Sequence, residues 1–301
     1  MVKVKKLKDC TITDAVNAWN AGFEGYSIDV KMTADRFLER MVKEDLSVSL
    51  SIIAFDDKQP IGIVLNGIRE INGKKVAWNG GTGVAKAYRS KGIGKKLVDV
   101  SISILKQNGV DIATLEVLKD NEKAISLYKD MGYKEVGILE YLNLNKALCQ
   151  NPIPHLKRKV TVKQVLLQQI GKQFFYKAMN PWQTQWQSAK QGEGIIVEGE
   201  VGQVLGYAYY QRIFNSKGNH ISTILFQCEA RPNLKNAEEV IYFMLGHIFG
   251  DFKNVLNRIV PNLPVRESEL TYKVLKQIGF QTAVQQLSMR KELKLPTLSG
   301  K

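Results

Sequence analysis

Arg89, Gly92 and Gly94 follow the spacing Arg-x-x-Gly-x-Gly inside the run Val-Ala-Lys-Ala-Tyr-Arg-Ser-Lys-Gly-Ile-Gly-Lys-Lys-Leu of residues 84–97. From Leu97 onward Val98, Ile102 and Leu105 recur at a helical period, so the loop opens a helix. Amide hydrogens in a helix's first turn have no partner inside the helix and point outward with the positive end of its dipole, which suits a phosphate. Glycine at 92 and 94 removes side chains that would hold a pyrophosphate away from this backbone, while Arg89, Lys91 and Lys95 add charge. Two other phosphate loops fail on the same residues. A Walker loop requires glycine where Arg89 stands and Ser or Thr where Lys96 stands; a Rossmann fingerprint begun at Gly81-Thr-Gly83 needs its third glycine at Lys86. For the loop taken alone, a basic surface turn without a ligand stays open as the alternative.

A second segment lies downstream, Asn-Glu-Lys-Ala-Ile-Ser-Leu-Tyr-Lys-Asp-Met-Gly-Tyr at 121–133. Ala124, Leu127, Tyr128 and Met131 follow one helical stripe, Asn121 or Asp120 is placed to cap it, Gly132 ends it and Tyr133 begins a strand. A purely structural reading also holds for this segment, in which Asn121 caps, Tyr128 packs and Gly132 terminates.

Together and in this order, the two segments resemble the GNAT family of N-acyltransferases, of the tandem-domain bacterial type with a degenerate second copy. The resemblance rests on Arg89 to Gly94, on Asn121, Ala124, Leu127 and Tyr128, and on the closing Gly132-Tyr133. It implies an α/β fold with a mixed α+β sheet and acetyl-CoA as co-substrate. By that resemblance Arg89, Ser90, Lys91, Gly92, Ile93, Gly94 and Lys95 hold the pyrophosphate, and Val84 and Ala85 present strand backbone to the pantetheine amides. Asn121 touches the cofactor arm and Tyr128 faces the thioester sulfur. The implied chemistry is direct attack of a primary amine on the acetyl carbonyl in a ternary complex. A strand amide near Val84 bonds the developing oxyanion, and Tyr128, a phenol with an ordinary pKa near 10, protonates the departing thiolate. Glu116, on the neighbouring strand, is the candidate base; an ordinary solvated carboxylate there, Glu24, Asp29 or a water relay are the alternatives.

The elements that must position these residues read as alternating helix and strand. Residues 3–7 form a first strand, and 13–25 and 33–45 two helices, the second capped by Thr33 with Phe37 and Met41 on one face. Between them 23–30 is apolar and irregular. In a GNAT domain this connection walls the acceptor pocket, so Phe23, Tyr26 and Asp29 are candidates for substrate contact, against the alternative of a loop packed on the sheet. Residues 47–55, 60–71 and 75–84 read as an antiparallel meander, turning at Asp56-Asp57-Lys58 and Asn72-Gly73. The third strand carries Trp-Asn-Gly-Gly-Thr-Gly-Val at 78–84, and so many glycines signal a bulge or the close approach of another backbone. A bulge there would splay this strand from the next parallel one, 111–118, and open a slot for pantetheine.

Composition limits the rest. The 301 residues suffice for two domains, and 44% hydrophobic with 24% charged residues is the balance of a soluble globular protein. No run of about eighteen apolar residues predicts a membrane span, and the basic N-terminus lacks the apolar core of a signal peptide. Cys10, Cys149 and Cys228 are widely separated and the histidines scattered, so neither a disulfide framework nor a metal site is expected, and a cytoplasmic protein is. The net charge of +14 is distributed along the chain, and is read as solubility and steering, with nucleic-acid binding a minor alternative.

Past Ala147 the texture changes. Residues 149–158, with two prolines and a charge run, read as a linker between a catalytic domain at 1–148 and a second domain at 159–301. The second half repeats the first: Gln-Val-Leu-Gly-Tyr-Ala-Tyr at 203–209 echoes 59–65, and 270–280 echoes the 123–133 helix with its glycine stop. Where the phosphate loop should fall, 229–237 has no glycine pair, and Leu275 stands where the first copy has Tyr128. This copy is expected to bind no CoA; covering the acceptor site, supplying specificity or forming a homodimer surface stay open. The aromatic stretch 174–186 reads as a packed loop or a lid. The reading is a GNAT-type N-acetyltransferase acting on a small-molecule or peptide amine, and the alternative is a non-catalytic CoA-responsive or protein-binding module.

Overall fold

The computed structural model describes residues 2–26, 30–154, 160–250 and 252–293. In chain order the elements are β1 (Lys3–Lys6), α1 (Ile12–Gly22), α2 (Ala34–Lys43), β2 (Ile52–Asp56), β3 (Gln59–Ile71), β4 (Lys74–Val84), α3 (Ile93–Gln107), β5 (Ile112–Leu118), α4 (Glu122–Asp130) and β6 (Lys134–Leu144). They continue with β7 (Thr161–Val165), α5 (Leu167–Gly171), β8 (Glu193–Glu198), β9 (Val204–Phe214), β10 (His220–Ala230), α6 (Ala237–Phe249), β11 (Asn257–Pro264), α7 (Glu269–Ile278) and β12 (Gln281–Glu292).

The chain divides into two compact units, one of residues 1–136 with 287–301, the other of 137–286. A purely sequential cut near 148–159 differs from these units in the strand that closes each sheet. In the first unit the order is β1-β2-β3-β4-β5, all antiparallel except the parallel β4–β5 pair, and the end of β12 takes the sixth place beside β5. The second unit repeats this with β7-β8-β9-β10-β11, parallel at β10–β11, and β6 in the sixth place. A strand contributes its backbone ladder and one apolar face wherever it docks, so the closing strand need not come from adjacent sequence.

Local sequence accounts for the first unit's helices. Thr11 and Asp14 form a reciprocal capping box at the start of α1, Thr33 caps α2, and Asn121 caps α4 through the Ala124 amide at 3.2 Å. The expected helix over 13–25 stops at Gly22. A Cβ there would lie 2.8 Å from the carbonyl carbon of Gly83, so α1 ends with its backbone pressed on β4. The expected strand over 47–55 begins only at Ile52, because the amides of Leu50 and Ser51 both turn back to the Ser47 carbonyl. α3 and α4 bury Leu105, Ile125 and Tyr128 against Ala77, Leu115 and Val117 on one sheet face. Among the described residues no helix is long and apolar enough to cross a membrane.

Candidate active site

The glycine-rich end of β4 is shaped by two neighbours. Pairing with β3 slips between Leu65 and Asn66, leaving Gly80 as the extra residue of a bulge. The parallel ladder to β5 runs from Val76 opposite Ile112 to Asn79 opposite Leu115 and stops there. Beyond this point β4 and β5 part, and the opening lies between 80–84 and Glu116 to Leu118. On one face α1 covers the strand: a Cβ at Gly81 would stand 2.8 Å from the Trp19 ring, and one at Gly83 2.9 Å from Phe23. Both expected causes of the glycines, a bulge and a close backbone, are therefore present together. Because the Ala85 amide donates to Ile61 across β3, strand alternation turns the amides of Val84 and Thr82 toward the opening.

At the far end of the opening, α3 begins at Gly92, whose φ of 80° is left-handed and whose missing Cβ would face open space. Among the described residues no side chain caps this helix, so its first amides present bare donors, with Ser90 also left-handed at φ 59°. Gly94 packs on α4: a Cβ there would sit 3.3 Å from Leu127. Ile93 is half-buried, while Lys91 and Lys95 are exposed, Lys91 lying 5.7 Å from the Tyr88 ring. These positions fit a pyrophosphate held by backbone amides with lysines around it.

Arg89 has a different environment from the one its spacing suggests. Its Nε donates to the Val84 carbonyl at 2.9 Å, and its Nη2 to the carbonyls of Gly22 and Glu24 at 3.1 and 2.7 Å. Arg89 thus ties the end of α1 to the loop and adds its charge to the site from there. Ala85 likewise faces inward, its amide on Ile61 and its carbonyl accepting from Tyr88.

Tyr128 lies on the α3/α4 face, 6% exposed, its hydroxyl hydrogen-bonded to Thr82 of β4. Burial pushes this phenol up to about 12, the Thr82 hydroxyl pulls it partly back, and the nearby Tyr26 raises it again. Tyr26 is raised chiefly by burial, against the opposing hydrogen bond from Asn121. Phe23 stacks on Trp19 at 4.1 Å and meets Tyr26 edge-on at 5.5 Å. Phe23, Tyr26, Asn121 and Tyr128 thus form one connected group, whereas Asp29 falls outside the described residues.

Glu116 stands on the opposite sheet face. Its Oε2 accepts the Trp78 indole N–H at 2.6 Å, and burial, with Glu44 nearby, raises its carboxyl to about 7. That value suits a group that must take a proton near neutral pH. Around it lie residues that periodicity and motif spacing did not single out. Arg40 donates to Glu44 at 2.8 Å and to the bulge carbonyl of Gly80 at 2.5 Å, with its guanidinium 4.6 Å from the Trp19 ring. The i,i+4 spacing of Arg40 and Glu44 on α2 was the available signal. Among the described residues no group of three or more His, Cys, Asp or Glu side chains could hold a metal.

In the second unit the parallel pair also ends early, and side chains bond around the place where it ends. β10 pairs with β11 only from Ser222 to Ile224, and its antiparallel pairing with β9 slips between Leu225 and Gln227. Ser268 donates to Glu229 at 2.5 Å and the Thr271 hydroxyl to the Cys228 carbonyl, tying α7 to β10. The aromatic stretch is packed, with Phe175, Trp182 and Thr184 buried, the Gln227 side chain donating to the Thr184 carbonyl at 3.1 Å, and Leu275 fully buried.

Known proteins were compared with this chain. The model of the Acetyltransferase (GNAT) family matches residues 14–133. N-alpha-acetyltransferase 30 of Schizosaccharomyces pombe is 38% identical over 50 residues, 17% of this chain and 33% of that protein, so the match spans a third of that relative. A GCN5-related N-acetyltransferase from Sphaerobacter thermophilus superposes with a TM-score of 0.66 at 14% identity, over 98% of this chain and 96% of that one. A tandem GNAT protein from the clavulanic acid biosynthesis pathway gives 0.63 at 10% identity, over 98% and 99%. At these identities the two structures are evidence of a shared fold.

Proposed function

We propose that this chain, whose residues 14–133 match the Acetyltransferase (GNAT) family and whose fold is similar to that of a tandem GNAT protein, is an N-acetyltransferase carrying the acetyl group of acetyl-CoA to a primary amine in the first unit. The observation that carries this reading is the parting of β4 from β5 after Asn79, with an uncapped helix start at one end and a buried phenol on its flank. Acetyl-CoA, when bound, supplies an activated thioester.

The chain's own residues have separable roles. The amides of Ile93, Gly94 and Lys95 hold the pyrophosphate, with charge from Lys91 and Lys95. Val84 offers its amide to the carbonyl oxygen as negative charge develops there. Glu116 accepts the proton released by the attacking amine, and Tyr128 gives its proton to the departing sulfur. Phe23 and Tyr26 line the acceptor side. The amine class is a small molecule or a peptide terminus.

Tyr128→Phe tests the assignment. In a thiol-release assay against a panel of amines, kcat is expected to fall by about 10²-fold or more, while calorimetric CoA affinity is unchanged. Wild-type CoA binding without turnover on any amine would instead favour a non-catalytic CoA-responsive module.

A further inference from the structure

Beside the Tyr128 phenol lies a hydroxyl to which the acyl-transfer reading gives no role. Thr82 follows the Gly80 bulge, and its hydroxyl contacts the Tyr128 hydroxyl. Thr82 is itself held in place: Asn79 Nδ2 donates to its Oγ1 at 2.8 Å, and Asn79 Oδ1 accepts the Gly81 amide at 3.0 Å. Asn79 is 6% exposed, so water is a poor substitute for either bond. The other orientation, Thr82 donating to Asn79 Oδ1, spans a longer 3.3 Å to an oxygen already engaged by Gly81. The Thr82 proton is therefore directed to the phenol oxygen. A phenol has one proton, and accepting from Thr82 leaves that proton free to point elsewhere.

We propose that Thr82, fixed by Asn79, is a positioning residue that turns the Tyr128 O–H into the opening between β4 and β5. This inference rests on the acyl-transfer reading. The amine nitrogen bonds to the acetyl carbon as the carbon–sulfur bond breaks; the Tyr128 O–H bond breaks as its proton passes to sulfur, and the phenolate accepts the Thr82 hydrogen bond. The proton shed by the amine passes to Glu116 and through solvent restores the phenol.

Thr82→Val keeps the volume and removes the hydroxyl, whereas Thr82→Ser keeps the hydroxyl and removes the methyl. For Thr82→Val, kcat is expected to fall about tenfold at unchanged KM for acetyl-CoA, with Thr82→Ser recovering most of the loss. Independently of turnover, the tyrosine 13Cζ resonance that disappears in Tyr128→Phe should move in Thr82→Val and stay in place in Thr82→Ser. An unmoved resonance, wild-type kcat in Thr82→Val, or equal impairment of both variants overturns the inference. A wild-type protein that binds CoA but turns over no amine overturns the reading beneath it, even if the resonance moves.

Discussion

Glu116→Gln separates charge from shape. Glutamine still presents an oxygen to the Trp78 indole, which reaches Glu116 at 2.6 Å, so only the ionisable group is lost. Burial raises the carboxyl from 4.5 to about 7, and at ~1.4 kcal/mol per pH unit the ionised form costs the native state roughly 3.5 kcal/mol at most. Water reaching this half-buried side chain lowers that figure to about 1–3 kcal/mol. The folded pKa lies above the unfolded one, so the native state binds the proton more tightly. The cost is absent below about pH 4.5, grows as pH rises, and is complete above about 7. Urea midpoints of the two proteins should thus nearly coincide at pH 4 and diverge by pH 8, with the Gln variant the more stable. On the proposed role of Glu116 as base, wild-type kcat/KM should rise through pH 7 and level off, and the variant should lose both that rise and about 10²-fold in rate. Stability curves that stay parallel across pH would refute the buried carboxyl, and wild-type kinetics in the variant would refute its role as base.

Three further outcomes follow from the geometry. Gly83→Ala sets a Cβ 2.9 Å from the Phe23 ring and 3.0 Å from the Gly22 backbone, and should destabilise the fold by about 1–3 kcal/mol in urea titration. Gly92→Ala meets open space but a φ of 80°, so it should cost about 1–2 kcal/mol and weaken CoA binding measured by calorimetry without unfolding the protein. Calorimetry of the full chain should give one CoA per chain, because Ser268 and Thr271 tie α7 to β10 in the second unit; two bound per chain would refute that assignment.

Periodicity and punctuation made most of the first unit legible. Thr33 and Asn121 cap where spacing predicts, and the glycines of β4 mark both a bulge and a close backbone. What sequence could not supply was partner choice across space. Arg89 carries the motif spacing, yet its guanidinium bonds Gly22 and Glu24, residues far away in the chain. Thr82 gave one signal, a hydroxyl among glycines, but its value depends on Tyr128 lying over it. The closing strands were equally hidden, because β6 and β12 have the same pattern as strands that stay with their own domain.

The two copies separate what the fold makes from what particular residues use. In both, the parallel pair parts after a few residues and a bulge stands where the ladder ends, at Gly80 in one and Phe226 in the other. The opening is therefore a property of the topology and does not require glycine. Counting from the bulge, Gln227 and Glu229 occupy the places of Gly81 and Gly83. There a glycine lets α1 approach the strand, whereas a longer side chain reaches Thr184 or Ser268 instead. Burial raises Glu229 to about 7, so near neutral pH much of it stays protonated and the Ser268 bond persists without a full buried charge. With Leu275 in place of a phenol, the second copy retains the architecture while its opening is crossed by its own side chains. On the proposed chemistry, a thioester entering there would have to break those bonds, and would find Leu275 where the first copy has Tyr128.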